Sequence, residues 1–290
     1  MILESGKLKV EFIQSAFSRT RYDNTGLIRQ VWLHTDGGDV PFCTVQNLIP
    51  GFSSDGAGLA NEFNIEDPPG FREAAPGGEF LKIGVGWCLR PDDSPYRFTQ
   101  DYEVTDRGTL LSESFSGEDG GTGVRILWRS GERGGYGCIL RKEFLLRDRR
   151  IRVGYELTNS GTKPLWNYEY AHNFVAVGDT PVEEGMYDLT TTDPMFDRRY
   201  EGELITYDQF PSYCSTYVSR KCENVRGWTL RRVSDGVSVS ETIDFVPSRV
   251  AVWAMPHVIS PEIFIECELA PGETKSWTRT YSFSGGPGTD

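Results

Sequence analysis

Between Ile151 and Phe174 the chain reads IRVGYELTNSGTKPLWNYEYAHNF, and its alternation is the strongest constraint in the sequence. Ile151, Val153, Tyr155 and Leu157 point one way and Arg152, Glu156 and Thr158 the other. That period of two marks a half-buried strand. Asn159-Ser160-Gly161 then accept turn geometry, and Pro164 suits a strand start. A second strand follows in which Trp166, Tyr168, Tyr170, His172 and Phe174 share one face, with Glu169 and Asn173 on the other. One imidazole therefore stands in a row of aromatic rings, a surface able to hold a sugar ring while a proton is moved.

The same punctuation runs along the whole chain. Strand-like stretches KLKVEFI, LIRQVWLHT and VPFCTVQNLI come first; YRFTQDYEVTDRG, TLLSESFSG, GVRILWRSG and YGCILRKEFLLRD lead up to the central pair. GWTLRRV, VSVSETIDFV, RVAVWAM, IFIECELA and KSWTRTYSF complete the series, separated by turns such as DGGD, EDGG, SGERGG, SDG and PGET. No long amphipathic helix is visible, so the pattern predicts an all-β sandwich. Without a linker-like change in composition, residues 1–290 are expected to form one domain. Residues 51–79 are rich in Gly, Pro and acidic side chains and read as a long functional loop that Phe63, Ile65 and Phe71 pack down. Residues 80–90, FLKIGVGWCLR, read as one strand with Phe80, Lys82, Gly84 and Gly86 on one face. Glycines inside a strand let a ligand approach the backbone. The plain alternative is a solvated lysine over a glycine bend. The acidic stretch 178–215 reads as a solvated rim loop or lid.

Composition narrows the function classes. The formal net charge is −12 and no basic tract appears, which argues against nucleic acid or an anionic membrane as partner. No apolar run approaches the ~20 residues that span a bilayer. The N-terminus lacks the features of a secretory signal, so a cytoplasmic location is expected. Six cysteines (Cys43, Cys88, Cys138, Cys214, Cys222 and Cys267) lack metal-finger spacing and read as buried thiols, with a Cys214–Cys222 bridge as the alternative.

The sequence contains no GxSxG elbow, Walker loop, HExxH or dinucleotide fingerprint. Its three histidines are His34, His172 and His257. His34 sits at a strand end and is expected to be exposed; His257 lies in a loop, AMPHVISPEIFIE, before a late strand. In that strand Ile263, Ile265, Cys267 and Leu269 form the apolar face, leaving Phe264, Glu266 and Glu268 opposite. A carboxylate beside Phe264 and Ile265 would be partly desolvated, which raises its basicity and suits it to take a proton near neutral pH; the plain alternative, which composition favours, is a pair of solvated strand glutamates.

LTNSGTKPLWNYEYAHNF resembles the segment of aldose 1-epimerases, the galactose mutarotase-like proteins, in which a strand ends in TN-x-G and the next carries a histidine before an aromatic. RVAVWAM through FIECELAPGETKSW is similar to their late strand with the catalytic glutamate and its LxPGE turn. The resemblance covers about residues 140–283. It implies a galactose mutarotase-like β-supersandwich of many antiparallel strands. It also implies His172 as the acid that protonates the sugar ring oxygen, Glu266 (with Glu268 in competition) as the base, and no cofactor. The GR-x-x-NR substrate motif of these proteins is absent, with Gly70-Phe71-Arg72 as a distant substitute. The expected activity is epimerisation of a small carbohydrate by a monomer or homodimer, with Arg72, Lys82, Trp253 and His257 binding substrate. Two other readings stand beside it. One is a non-catalytic carbohydrate-binding protein; the other is a lyase or isomerase with a metal on His172, His257 and Glu169. The epimerase reading requires His172 and its partner glutamate to face one another across a space of monosaccharide size.

Overall fold

The structure is a computed structural model and describes residues 1–13, 20–44, 58–117, 120–180, 182, 185–192, 198–199, 215–219, 222–255 and 257–286. The strands in the first part are β1 (Ile2–Ser5), β2 (Leu8–Ile13), β3 (Leu27–Thr35), β4 (Gly38–Pro41), β5 (Gly58–Glu62), β6 (Glu79–Lys82) and β7 (Gly86–Leu89). Next come β8 (Val104–Asp106), β9 (Thr109–Ser116), β10 (Thr122–Arg133), β11 (Tyr136–Arg147), β12 (Arg150–Asn159) and β13 (Leu165–Phe174). The remainder are β14 (Tyr187–Thr191), β15 (Arg198–Arg199), β16 (Ser215–Ser219), β17 (Gly227–Arg232), β18 (Ser238–Ile243), β19 (Arg249–Met255), β20 (Val258–Leu269) and β21 (Thr274–Ser284).

Two large antiparallel sheets carry the architecture. One runs β1-β2-β3-β5-β13-β20-β19-β16, with β4 on β3; the other runs β15-β14-β17-β18-β21-β12-β11-β10-β9. A small sheet, β6-β7-β8, stands apart. The all-β expectation is met, and the alternation read in the sequence is the reason. In β12, Ile151, Val153, Tyr155 and Leu157 are buried while Arg150 and Arg152 are exposed. β12 joins the second sheet between β11 and β21, whereas β13 crosses to the first, so the Asn159–Pro164 turn links the two layers. Val10, Val31, Leu140, Leu157, Ile265 and Trp277 belong to the core between them.

That interior also holds charge. Arg279 on β21 is fully buried and reaches Glu169 on β13 at 2.7 Å and Glu241 on β18 at 2.6 Å. Asn61 on β5 donates to Glu169 (2.6 Å) and accepts from Tyr155 (3.0 Å), while Lys142 pairs with Asp23. A buried charge survives only when paired and hydrogen-bonded, and this array meets that requirement across both layers.

Two expectations for the first half need correction. The stretch 51–79 is not all loop, because Gly58–Glu62 forms β5, wedged between β3 and β13 with every residue buried. A central strand covered on both faces shows no alternation. Its first residue must be glycine: Gly58 has φ +77°, and a Cβ there would lie 1.9 Å from the Ile28 carbonyl oxygen. Residues 80–90 form a hairpin, β6 and β7, rather than one strand, with Gly84 (φ +76°) in its turn. A Cβ on Gly84 would sit 2.3 Å from Asp23 Oδ1, so what approaches that backbone is the protein's own carboxylate. The Cys214–Cys222 alternative and much of the acidic stretch 178–215 lie outside the described residues.

Candidate functional site

Because β13 presents Glu169 and Asn173 to the interior, its even-numbered residues occupy the face turned away from the second sheet. His172 stands there between two carboxylates. Its Nε2 is 2.8 Å from Glu62 Oε2 on β5, and its Nδ1 is 2.7 Å from Glu262 Oε1 on β20. Both nitrogens donate only in the protonated ring, the form that a carboxylate at each nitrogen favours. Burial opposes that charge, but Glu262, by charge and hydrogen bond, and Glu62, by hydrogen bond, hold the His172 pKa above its usual 6.5.

Glu62 is well placed to stay ionised. Burial alone would push its carboxyl up, yet Arg21, His172 and Lys82 bring it down to about 2. A single oxygen, Oε2, collects the donors: Arg21 Nε at 3.1 Å, the Tyr170 hydroxyl at 2.7 Å and the His172 ring. The other oxygen, Oε1, is buried and has no hydrogen-bond partner among the described residues. Glu262 is held from its own strand by the Ser260 hydroxyl at 3.0 Å, and Ser260 in turn accepts the Asn173 amide N–H. This side-chain bracing occurs where the β13–β20 backbone ladder ends at Tyr170–Phe264, just before Pro261, which has no N–H to offer.

Aromatic rings floor and wall the imidazolium. Phe174 stacks on it with centroids 5.2 Å apart, Tyr22 meets it edge-on at 5.3 Å and Tyr170 lies tilted at 4.4 Å. Lys82, at the end of β6, is fully buried; its Nζ donates to the Tyr96 hydroxyl at 2.7 Å, which donates to the Asn64 carbonyl at 2.7 Å. Burial pushes the Lys82 amine down to about 8 against the pull of Glu62. The alternative of a solvated lysine over a glycine bend is therefore incorrect.

The remaining expected residues divide. Trp253 reaches the wall, packing edge-on against Phe174 at 5.9 Å, and His257 is buried in the β19–β20 turn. Arg72 does not join them: its side chain is 84% exposed and pairs with Asp67. Glu266 does not face His172 either. The β13–β20 register sets Glu266 opposite Tyr168, where it accepts the Trp166 indole N–H at 2.7 Å, and Glu268 opposite Trp166. Extended by two residues, the same register brings Glu262 to His172. The space expected between imidazole and carboxylate is absent, since the two groups touch. The metal set of His172, His257 and Glu169 is not assembled, because Glu169 lies on the interior face with Arg279. Among the described residues no group of three His, Cys, Asp or Glu side chains is arranged to hold a metal ion. His34 pairs with Asp39 at the surface.

Three participants escaped the sequence reading. Arg21 carried no local signal. Glu62 lay in a strand without alternation. Glu262 was legible in principle, because counting back by twos from Glu266 places it on the same face; only the pairing register singles it out. Elsewhere, a trough of about 630 Å³ lies over the outer face of the second sheet. Among its charges, Arg125 pairs with Glu143 and Arg141 with Glu156.

No protein-family model matches the chain, and no curated protein matches its sequence. Solved structures do. A galactose mutarotase related enzyme from Lactobacillus acidophilus is 12% identical over 100% of this chain and 99% of that one, with a TM-score of 0.60. A galactose mutarotase-like protein from Clostridium acetobutylicum is 10% identical over 98% and 94%, with a TM-score of 0.59. The GalM/aldose epimerase homologue from C. elegans is 11% identical over 95% and 99%, with a TM-score of 0.52. Likeness along the full length at so low an identity speaks for architecture, and the architecture of this chain is the galactose mutarotase-like β-sandwich.

Proposed function

We propose that the protein is a carbohydrate epimerase of the mutarotase type, with His172 as acid and Glu262 as base. The observation that carries this reading is the buried imidazole held between carboxylates at both nitrogens on an aromatic floor. A cyclic sugar opens when its ring oxygen gains a proton and its anomeric hydroxyl loses one, which requires one acid and one base at neighbouring atoms. Of the two glutamates, Glu62 is sealed at 0% side-chain exposure and Glu262 reaches 8%, so the Nδ1–Glu262 side is where substrate enters. Since His172 and Glu262 are in contact at 2.7 Å, this reading requires the sugar to part them on binding, and a hemiacetal between them then exchanges their one hydrogen bond for two. The Nδ1 proton passes to the ring oxygen, the C1–ring oxygen bond breaks, and Glu262 takes the hydroxyl proton. Rotation about C1–C2 and the reverse transfers give the other anomer.

Glu62 keeps the Nε2 proton and fixes the ring plane, in the way a third group orients a catalytic base. Phe174, Tyr22 and Trp253 exclude water and supply apolar faces for the sugar, and Lys82 contributes a cation beside them. The test is anomer exchange of galactose and glucose by saturation-transfer NMR. Wild type is expected to accelerate exchange, and His172→Ala and Glu262→Gln each to reduce the enzymatic rate at least a hundredfold, the usual contribution of a positioned acid or base being about 10²–10⁴. Sugar binding without acceleration in the wild type sinks the epimerase reading and leaves a carbohydrate-binding protein on this fold.

A further inference from the structure

The strands that carry His172 and Glu262 are laced on either side of that pair and not across it. Backbone pairing of β13 with β20 runs from Leu165–Leu269 to Tyr170–Phe264. It resumes at Val175–Ile259, where each amide donates to the other residue's carbonyl, at 3.1 and 3.0 Å. Both parts keep one register, so His172 stands opposite Glu262, and Asn173 opposite Pro261, in the unlaced stretch between them. Mutually bonded pairs recur at every second position of an antiparallel ladder, which makes Asn173–Pro261 the rung next to Val175–Ile259. Pro261 has no N–H to give to that rung. Its carbonyl accepts the Asn173 side-chain amide at 2.6 Å, and the Asn173 backbone N–H goes instead to the Ser260 hydroxyl at 3.0 Å. Two side chains thus replace one backbone rung, beside the proton-transfer pair.

Ser260 is fully buried, and its one proton has a set direction. A backbone N–H only donates, so the Ser260 oxygen accepts it and turns its own proton to Glu262 Oε1 at 3.0 Å. The same Oε1 receives His172 Nδ1 at 2.7 Å. Among the described residues these are the two donors to Glu262. A sugar that parts His172 from Glu262 removes the first of them and leaves the second. We infer that Ser260 is the positioning residue of the base: its hydroxyl holds the Glu262 carboxylate in place while the sugar stands between Glu262 and His172. Ser260 is held in turn by the Asn173 backbone. The Asn173 amide is fixed on the interior side by Glu241 at 3.2 Å, itself paired with Arg279. Glutamate is a flexible side chain, and proton transfer depends on a base kept within reach of the hydroxyl it deprotonates. The inference rests on the epimerase reading of the site.

Anomer exchange of galactose and glucose is followed by saturation-transfer NMR over a range of sugar concentrations. The proteins compared are wild type, Ser260→Ala, Ser260→Thr, Glu262→Gln and the double variant Ser260→Ala/Glu262→Gln. Ser260→Ala is expected to lower kcat roughly ten- to a hundredfold, as for loss of a hydrogen bond to a charged group, with KM within about twofold of wild type. Ser260→Thr keeps the hydroxyl and suits a strand, and is expected to recover to within about threefold of wild type. Adding Ser260→Ala to Glu262→Gln is expected to cost less than about threefold more, because glutamine is no base and nothing remains to be aimed. A serine that served only to satisfy the Asn173 N–H would lower the rate by the same factor in both backgrounds. Ser260→Cys, of similar shape but a much weaker donor, carries the same comparison if Ser260→Ala does not fold. Three results overturn the inference and leave the epimerase reading standing: unchanged kcat in the folded variant, equal losses in both backgrounds, or a folded Ser260→Thr as slow as Ser260→Ala. A wild type that exchanges no anomers sinks the epimerase reading and this inference with it.

Discussion

Replacing Lys82 by methionine should stabilise the protein. The wild-type ammonium is fully buried and its pKa falls from 10.5 to about 8. At ~1.4 kcal/mol per unit, that shift corresponds to about 3 kcal/mol lost in keeping Lys82 charged inside the fold at pH 7. Methionine fills much the same volume without a charge. The substitution removes the 2.7 Å bond to Tyr96, worth about 1 kcal/mol, but the Tyr96 hydroxyl keeps its bond to Asn64. The net gain is about 2 kcal/mol at neutral pH. The pH dependence is more diagnostic than the magnitude. Between about 8 and 10.5 the unfolded chain retains a proton on Lys82 that the folded chain has released. Wild-type stability therefore rises through that window relative to the variant, and the gap closes. Urea unfolding of both proteins at pH 7 and pH 10, followed by tryptophan fluorescence, measures it. A variant less stable than wild type at pH 7, or a gap that stays constant to pH 10, refutes the burial argument.

Glu266→Gln should leave anomer exchange within about twofold of wild type, because the group bonds Trp166 rather than His172; a hundredfold loss would return the base to Glu266. Exchange should decline as pH rises through the His172 pKa, held above 6.5, since the acid is then consumed; a rate that climbs across that range contradicts the role of His172. The same group adds stability fully present below pH 6.5 and lost as pH rises through its folded value, whereas the stability Glu62 contributes is present above about 4.5 and lost as pH falls towards 2. Arg279→Met, which strands Glu169 and Glu241 in the interior, should cost about 3–5 kcal/mol in urea unfolding. Gly58→Ala should fail to give soluble folded protein, or lose several kcal/mol, because its Cβ would overlap the Ile28 carbonyl oxygen at 1.9 Å.

Local periodicity made the strands readable, and sheet register hid the partners. The alternation at Ile151–Leu157 and the aromatic row from Trp166 to Phe174 placed His172 on the correct strand and face. Their counterpart at Ile263–Leu269 placed Glu266 correctly with respect to face but not neighbour. Face is a property of one strand, whereas the residue opposite is a property of two, and a slip of two residues leaves every side chain on its own face while changing its neighbour. Glu62 was obscured for another reason. β5 is covered on both sides, so GLANE offers no contrast between an inner and an outer face. Arg21 reaches Glu62 from a segment without regular structure, and nothing local in FSRTRYDN specifies that reach. Lys82 was marked by the glycines beside it, although those glycines serve close backbone approach to Asp23 and Asp106.

The distribution of sulfur supplies an internal readout of how the molecule comes apart. Cys43, Cys88, Cys138 and Cys267 are all buried and unbridged, and Cys222 is buried. Burial pushes the thiols of Cys43, Cys88, Cys138 and Cys267 up to about 12, so alkylating reagents meet almost no thiolate while the protein is closed. Cys267 lies in the layer that carries His172, Cys138 in the opposite layer and Cys88 in the small sheet. The order in which mass spectrometry finds these positions labelled therefore reports which layer opens first, without introducing any probe.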